Sequence, residues 1–427
     1  MDRAQHPEIE TLDDFHITLP VREALPNGIP LTIIGAGEQE VVRVDILFAG
    51  GRWHQSLRLQ AFFTNRMLRE GTRRYTSSDI AEKLDYYGSW LELSGSADYG
   101  YLTVYSLNKY LAETLEIVES MIKEAAFPEK ELQIIVSNNL QQYLINASKV
   151  DFLAQRALQR ALYGVGHPCG NIVEREDYDG INREVLLDFY KQYYHSGNCH
   201  IFLSGKVTDE TIRCVTDTFG TPFGQYEQLV APGQYPIIAS PDKRIVIERE
   251  DALQSAVKIG CTTITRKHAD FSKLQVLLTL FGGYFGSRLM SNIREEKGYT
   301  YGISAGILSF PDSGVLEISA ETDNRYVELL IQEVYNEIEK LHQDLVSSKE
   351  LDMVRNYMLG EMCRNYESPF SLADAWITAF TCGLDEQYFS HALTVVKNIT
   401  AREIQELAQQ YLCKETLKEV VAGKKLS

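Results

Sequence analysis

The sequence lacks most of what would carry it to a membrane, to nucleic acid or into an oxidising compartment. No run approaches the roughly 20 apolar residues that cross a bilayer as a helix, which excludes a transmembrane span of that kind. Basic residues never gather into a run of five or more, and 42 Lys and Arg stand against 59 Asp and Glu, a formal charge of −17. Nucleic acid and anionic membrane surfaces are therefore not expected partners. No Cys-x-x-Cys pair occurs, and the seven cysteines (169, 199, 214, 261, 363, 382 and 413) are too sparse for a disulfide framework. Free thiols in a reducing compartment are expected. The opening stretch MDRAQHPEIETLDDFH is acidic, without the apolar core of a secretory signal or the basic amphipathic character of a transit peptide. A soluble cytoplasmic protein is the resulting expectation.

What is present is an internal repeat. At 427 residues the chain exceeds the size at which one core stops growing, so two domains are expected. The segment from Gln192 to Lys206 (QYYHSGNCHIFLSGK) matches Gln410 to Lys424 (QYLCKETLKEVVAGK) at Gln, Tyr, Gly and Lys, at an offset of 218 residues (410 − 192). Each copy reads as a helix end, a short loop and an apolar strand closed by Gly. Upstream, YLTVYSL (101–107) and VLEISAE (315–321) read as strands. Each precedes a helix with apolar spacing of three to four: Leu111, Leu115, Val118 and Ile122 in one copy, Val327, Leu330, Val334 and Ile338 in the other. A fixed offset of this length signals one duplicated domain rather than a solenoid.

The Pro- and Gly-containing stretch 223–243 has no sustained period and reads as a linker between residues 1–222 and 244–427. Each half opens with strands, including an Asn27-Gly28 hairpin signal, and then mixes strands with long helices. The expected fold is α+β: two homologous domains, each a mostly antiparallel sheet with helices packed on one face, together forming half of a clamshell.

Residues 282–305 read GGYFGSRLMSNIREEKGYTYGISA. A Gly turn, Ser-Arg-Leu, Arg-Glu-Glu-Lys-Gly on a helix and a Tyr three residues beyond that Gly resemble the second-domain signature of the pitrilysin-type zinc peptidases, the family of insulinase and the processing peptidases. Taken singly, Arg294 would be a solvated helix charge and Tyr301 a strand aromatic. The resemblance implies instead that both point into a chamber and contact bound peptide, where a guanidinium and a phenol can stabilise the oxyanion of amide hydrolysis.

Working members of that family carry His-x-x-Glu-His on a first-domain helix, with a distal Glu about 75 residues later; the two His and the distal Glu bind zinc and the intervening Glu is the general base. The string from Met67 to Thr72 (MLREGT) resembles the family's sequence just after the second His, placing the helix over Leu57 to Arg69. The ligand positions then hold Phe62 and Arg66, and the base position holds Asn65. Counting back from Ala161-Leu162-Tyr163-Gly164, with His167-Pro168 beyond, puts Gln142 at the distal position. The chain contains no pair of His spaced i, i+4 anywhere. No metal is therefore expected in this chain, and no side chain at these positions can take a proton from water. His195, Cys199 and His200 read as strand packing rather than ligands, and His167 as part of a turn.

By resemblance, the chain is the non-zinc-binding subunit of a heterodimer whose homologous partner holds zinc, with Arg294 and Tyr301 acting on peptide substrates in trans. The alternative is a non-catalytic peptide-binding or scaffold homodimer. Under either, an extended peptide is expected to add to the sheet edge near Trp90, Leu91, Glu92 and Leu93, whose alternation has a strand period.

Overall fold

The computed structural model describes residues 17–224, 233 and 235–424. Among these residues eleven strands form two sheets: β1 (Val21–Ala24), β2 (Pro30–Gly35), β3 (Val41–Phe48), β4 (Trp90–Gly95), β5 (Gly100–Leu107) and β6 (Cys199–Gly205) in the first, and β7 (Arg244–Glu248), β8 (Gln254–Thr263), β9 (Thr300–Ser309), β10 (Gly314–Asp323) and β11 (Lys418–Gly423) in the second. The first half carries helices α1 (Gln60–Met67), α2 (Ser77–Tyr87), α3 (Leu111–Lys123), α4 (Glu129–Asn146), α5 (Val150–Tyr163), α6 (Arg183–Tyr193) and α7 (Asp209–Phe219). The second carries α8 (Phe271–Leu278), α9 (Val327–Gln343), α10 (Ser348–Tyr366), α11 (Pro369–Thr381), α12 (Tyr388–Asn398) and α13 (Ala401–Tyr411). Among the described residues no helix is long and apolar enough to cross a membrane.

The sheet orders are β1-β2-β6-β3-β5-β4 and β7-β11-β8-β10-β9. Without β1 the two are the same, strand for strand, with a parallel pair (β2 with β6, β7 with β11) in an otherwise antiparallel sheet. The repeated sequence segments fall where the repeat requires, on α6 to β6 and α13 to β11. The turn before each edge strand also repeats: Gly88 and Gly298 adopt φ of 64° and 67°, a conformation that suits glycine, two residues before β4 and β9 begin. The Asn27-Gly28 signal is the β1–β2 hairpin, Gly28 having φ 86°. Of the stretch expected as linker, residues 225–232 and 234 lie outside the described residues. The rest does not hang free, since Ile238 N–H donates to Tyr163 O at 3.1 Å and Ser240 N–H to Ala161 O at 2.8 Å, tying it to the end of α5.

Each sheet is covered on one face by helices of its own half, as the pattern predicts, and on the other by a helix of the opposite half. Successive strand residues point to opposite faces, so Ile33, Ile46 and Leu203 join the core under α3 while their neighbours Ile34, Leu47 and Phe202 face the other way. That second face is covered by α11, through Leu372, Ala373 and Trp376. Reciprocally, Ala154, Leu158 and Leu162 of α5 pack on Ala256, Val420 and Ala422 of the second sheet. Burial on both faces explains why β2 and β3 are nearly continuous apolar runs rather than alternating ones.

A buried ion pair marks each exchange. Arg43 on β3 meets Asp45 at 2.8 Å and Asp374 of α11 at 2.6 Å. Lys258 on β8 meets Asp151 of α5 at 2.9 Å and Glu317 of β10 at 3.4 Å. Arg43 lies opposite Tyr105 and Ser204, and Lys258 opposite Ser319 and Val420. The in-sheet carboxylate has changed strand between copies: Asp45 on β3 faces Thr103, whereas Glu317 on β10 faces Gly260.

His200 sits in the first of these interfaces, its ring 4.1 Å from that of Phe380 on α11 and its Nε2 2.9 Å from Thr32 Oγ1. Burial, with Arg22 nearby, pushes the imidazole down to about 4. An unfolded chain takes up this proton near 6.5 and the folded one only near 4, so between those values the unfolded state binds more protons and stability falls as pH falls. Urea unfolding at pH 7 and pH 4.5 should show a loss of roughly 2–3 kcal/mol from this group, at 1.36 kcal/mol per pKa unit, and His200→Gln should abolish that slope; an unchanged slope in the variant would assign the acid sensitivity elsewhere.

Candidate functional site

α1 is shorter than the span from Leu57 to Arg69 expected for it, running from Gln60 to Met67. The buried Gln60 side chain explains the late start: its Oε1 accepts from Ser56 N–H at 3.0 Å and Ser56 Oγ–H at 3.1 Å, fixing a turn that enters the helix through Leu59 at φ 70°. The string after α1 is structural. Thr72 Oγ1 accepts from Tyr75 N–H at 2.9 Å and Ser120 Oγ–H at 2.7 Å, while Met67 and Leu68 are fully buried.

Phe62 and Arg66 lie one turn apart on the exposed side of α1, and Asn65 points inward. Asn65 Nδ2 donates to Tyr101 O and to the Tyr194 hydroxyl, both at 3.2 Å. Gly100 leaves the space for this pair, since a Cβ there would come within 2.6 Å of the Tyr194 hydroxyl. Burial pushes the Tyr194 phenol up, so it stays protonated. Asn65, which the sequence resemblance matches to the base position, is a carboxamide engaged in holding α1 to the sheet.

Phe62, Asn65 and Arg66 line a cavity of about 440 Å³ between α1 and the β4 end of the sheet, with Arg52 and Leu93. Gln142, exposed on α4 with Nε2 3.3 Å from Asn146 Oδ1, lines an adjoining cavity of about 670 Å³. The two cavities share Arg52, Gln55, Leu59 and Val173 as a common wall. The structure thus brings Phe62, Asn65 and Arg66 together and sets Gln142 next door. Among the described residues no group of three or more His, Cys, Asp and Glu is placed to hold a metal ion.

Trp90, Leu91, Glu92 and Leu93 lie on β4, an edge strand that pairs only with β5 among the described strands. Trp90 is 67% exposed and Leu91 buried. The other suspected cluster is accounted for by packing: Cys199 is buried with its thiol pushed up by burial, and His200 is held as described above. The ring of His167 is buried, Nδ1 accepting from Cys169 N–H at 3.1 Å and Nε2 lying 3.1 Å from Asp312, which assigns the ring proton to Nε2.

In the second half, two π-helical turns, Thr279–Gly283 and Met290–Glu296, flank the Gly turn, and such turns cluster at functional sites. Most of the motif is framework: Arg288 pairs with Glu350 at 2.7 Å, Leu289 is fully buried and Asn292 donates to Glu337 at 2.7 Å. The remainder faces out. Tyr301, on edge strand β9, is 88% exposed and lines a cavity of about 690 Å³ with Phe285 and Met290. Arg294 lies over the Phe285 ring at 4.8 Å. Phe285 thus links the two predicted residues; its place inside the Gly turn was the available signal and was missed, as was Arg52. The Arg294/Tyr301 surface and the α1 cavity are lined by different residues, so the chain does not place its own guanidinium–phenol pair in its own degenerate site.

Residues 49–171 match the family profile described as insulinase (peptidase family M16), and residues 180–358 match the profile described as the peptidase M16 inactive domain. The chain belongs to peptidase family M16. An uncharacterized zinc protease of Bacillus subtilis (strain 168) is 23% identical over 354 residues, covering 81% of this M16 chain and 84% of that protein. A Helicobacter pylori protein named a non-peptidase homolog is also 23% identical, covering 81% and 80%. The crystal structure of a peptidase M16 inactive domain from Pseudomonas fluorescens superposes with a TM-score of 0.86 at 21% identity, covering 96% of the M16 chain and 99% of its own. A protease from Helicobacter pylori superposes at 0.87 with 17% identity, covering 96% and 100%. These structural likenesses establish the two-domain fold.

Proposed function

We propose that this chain is the metal-free subunit of a two-chain M16 peptidase, working with a homologous zinc-bearing subunit in the cytoplasm and contributing Arg294 and Tyr301 to peptide hydrolysis in trans. The observation that carries this reading is the outward face of Tyr301, together with a half-buried Arg294 stacked on an exposed Phe285. Tyr301 is 88% exposed and Arg294 rests on a Phe285 that is itself 59% exposed, while the rest of the motif is packed or paired. A phenol and a guanidinium held on an edge strand and a π-helical turn are prepositioned donors for an oxyanion, and neither has an ion pair among the described residues. Zinc in the partner would supply the activated water, and this chain would orient the scissile carbonyl. The seven free thiols suit a reducing compartment.

A second reading, a non-catalytic scaffold or peptide-binding homodimer, is favoured by the conversion of the base position into a structural Asn65 and by the name of the H. pylori relative. The two readings part on one experiment. In a complex reconstituted with a zinc-bearing homologous subunit, Tyr301→Phe with Arg294→Ala should lower kcat by about 100-fold or more, the usual cost of losing oxyanion donors. Unchanged turnover would sink the in-trans role. Stoichiometric zinc and chelator-sensitive cleavage by the lone chain would sink both readings.

A further inference from the structure

We infer that the cavity between α1 and β4 is a carboxylate site, which receives the anionic group of an extended peptide laid along the free edge of β4. This rests on the peptide-capture part of the function proposed above, not on the existence of a zinc-bearing partner.

The charge of the cavity is the first argument. Its lining contains two guanidiniums, Arg52 and Arg66, and no Asp, Glu, Lys or His, in a protein whose formal charge is −17. Neither guanidinium has an ion-pair partner within 4.0 Å among the described residues, whereas Arg43, Arg58, Arg156 and Arg288 are each paired with a carboxylate. The nearest acids act at longer range: Glu70 feels Arg66, and Asp98 feels Arg52. Two cations lining a shared hollow, Arg52 with its guanidinium also over the Phe310 ring at 5.9 Å, raise the local potential for an anion, and a carboxylate matches the guanidinium fork better than any neutral group does.

The second argument is that the site is built. Arg52 is fixed at the mouth by its backbone, with N–H donating to Ser96 O at 3.2 Å; on either side Gly51 N–H donates to Asp98 O at 2.9 Å and Trp53 N–H to Ala97 O at 2.9 Å. Gly51 is required for this approach, because a Cβ there would lie 2.4 Å from Ala97 O. Arg66 projects from α1, whose neighbouring Phe63 and Met67 are fully buried. Phe62, Leu59, Leu93 and Val173 supply an apolar wall beside the charges, and about 440 Å³ is within the range of a small-ligand pocket.

The third argument is continuity with the strand edge. Leu93, Ser94 and Gly95 at the C-terminal end of β4 form part of the lining, so a peptide paired along this edge runs directly over the cavity. Strand direction then separates the two sources of a carboxylate. A chain terminus reaches the cavity only from a peptide parallel to β4, whereas an internal Asp or Glu reaches it from either direction. Arg66, which the sequence resemblance matches to a zinc-ligand position, would here hold an anion in place of a cation, with Phe62 as the apolar wall beside it.

The test is fluorescence anisotropy on the purified full chain with labelled peptides of about eight residues, enough to span the six-residue edge. One pair differs only in a free C-terminal acid against an amide; a second, amidated pair differs only in an internal Glu against Gln. At least one acidic member should bind about tenfold more tightly than its neutral twin, with the preference weakening in salt. Arg52→Gln with Arg66→Gln, both exposed positions, should abolish the preference without changing the thermal transition, and Arg66→Lys should retain part of it. The proposal is overturned if neutral and acidic peptides bind alike, if none binds, or if the preference survives in the double variant. None of these outcomes bears on Tyr301 and Arg294, whose test is turnover in the two-chain complex.

Discussion

Expressed without its second half, the fragment 17–224 will give no cooperative unfolding transition and will aggregate, and so will 235–424 without its first. The first sheet would expose Ile34, Leu47 and Phe202, all buried in the whole chain beneath α11. The orphaned α5 would carry Ala154, Leu158 and Leu162 into water, all of which are buried on the second sheet in the intact protein. Exposed apolar faces of this kind on a sheet are templates for association. Inside the intact chain the same interface can be probed singly. Trp376 is 3% exposed and its Nε1 donates to Thr18 O at 3.0 Å, so Trp376→Ala should cost about 3–5 kcal/mol, the range for emptying a buried aromatic site. Urea unfolding followed by circular dichroism measures both effects. A separate 17–224 that unfolds cooperatively at the midpoint of the whole chain would show that α11 is an accessory to the sheet rather than one of its layers.

Arg43→Met will destabilise the protein by about 3–5 kcal/mol at pH 7, because removing one member of a buried ion pair strands the other. The stranded member is Asp45, with a side chain 1% exposed, held from β5 by Thr103 Oγ–H at 2.7 Å. Burial already pushes this carboxyl above the usual carboxylate range, against the pull of Arg43 and Thr103. Loss of the guanidinium will push it higher. A carboxyl whose folded pKa exceeds its unfolded one binds more protons when folded, so the variant gains stability as pH falls toward and below that pKa. The deficit relative to the wild type should therefore shrink between pH 7 and pH 5, and Arg43→Met combined with Asp45→Asn should recover much of it. A deficit that is constant with pH would mean that Arg43 contributes through its packing and its bond to Phe370 O at 3.2 Å rather than through Asp45.

Much of the fold was legible because it is periodic and repeated. The helix stripes Leu111-Leu115-Val118-Ile122 and Leu330-Val334-Ile338 fall in the cores under their sheets, and the C-terminal strand of each copy ends at its Gly. The candidate site was legible where a residue's type limits its chemistry: Phe62, Asn65, Arg66 and Gln142 cannot assemble an anionic metal site wherever they point. Their destinations were not legible. Asn65 bonds Tyr194, 129 positions away, and Gln142 opens onto a neighbouring cavity, consequences of packing between segments that no local pattern connects. Arg52 and Phe285 went unnoticed for the same reason, since each gains meaning only from what faces it.

By itself the sequence determined the duplication, the α+β layers within each half and the absence of any pair of His spaced i, i+4. Only the tertiary structure decided that each sheet takes its second cover from the opposite half, that Arg43 and Lys258 reach acids on those exchanged helices, and that Arg52 and Arg66 line one hollow beside β4. The physical reason is separation along the chain. Strand and helix periods state which side chains must be buried, but a buried face carries no record of which distant helix will cover it, and charge pairing is fixed only once the covering element has docked.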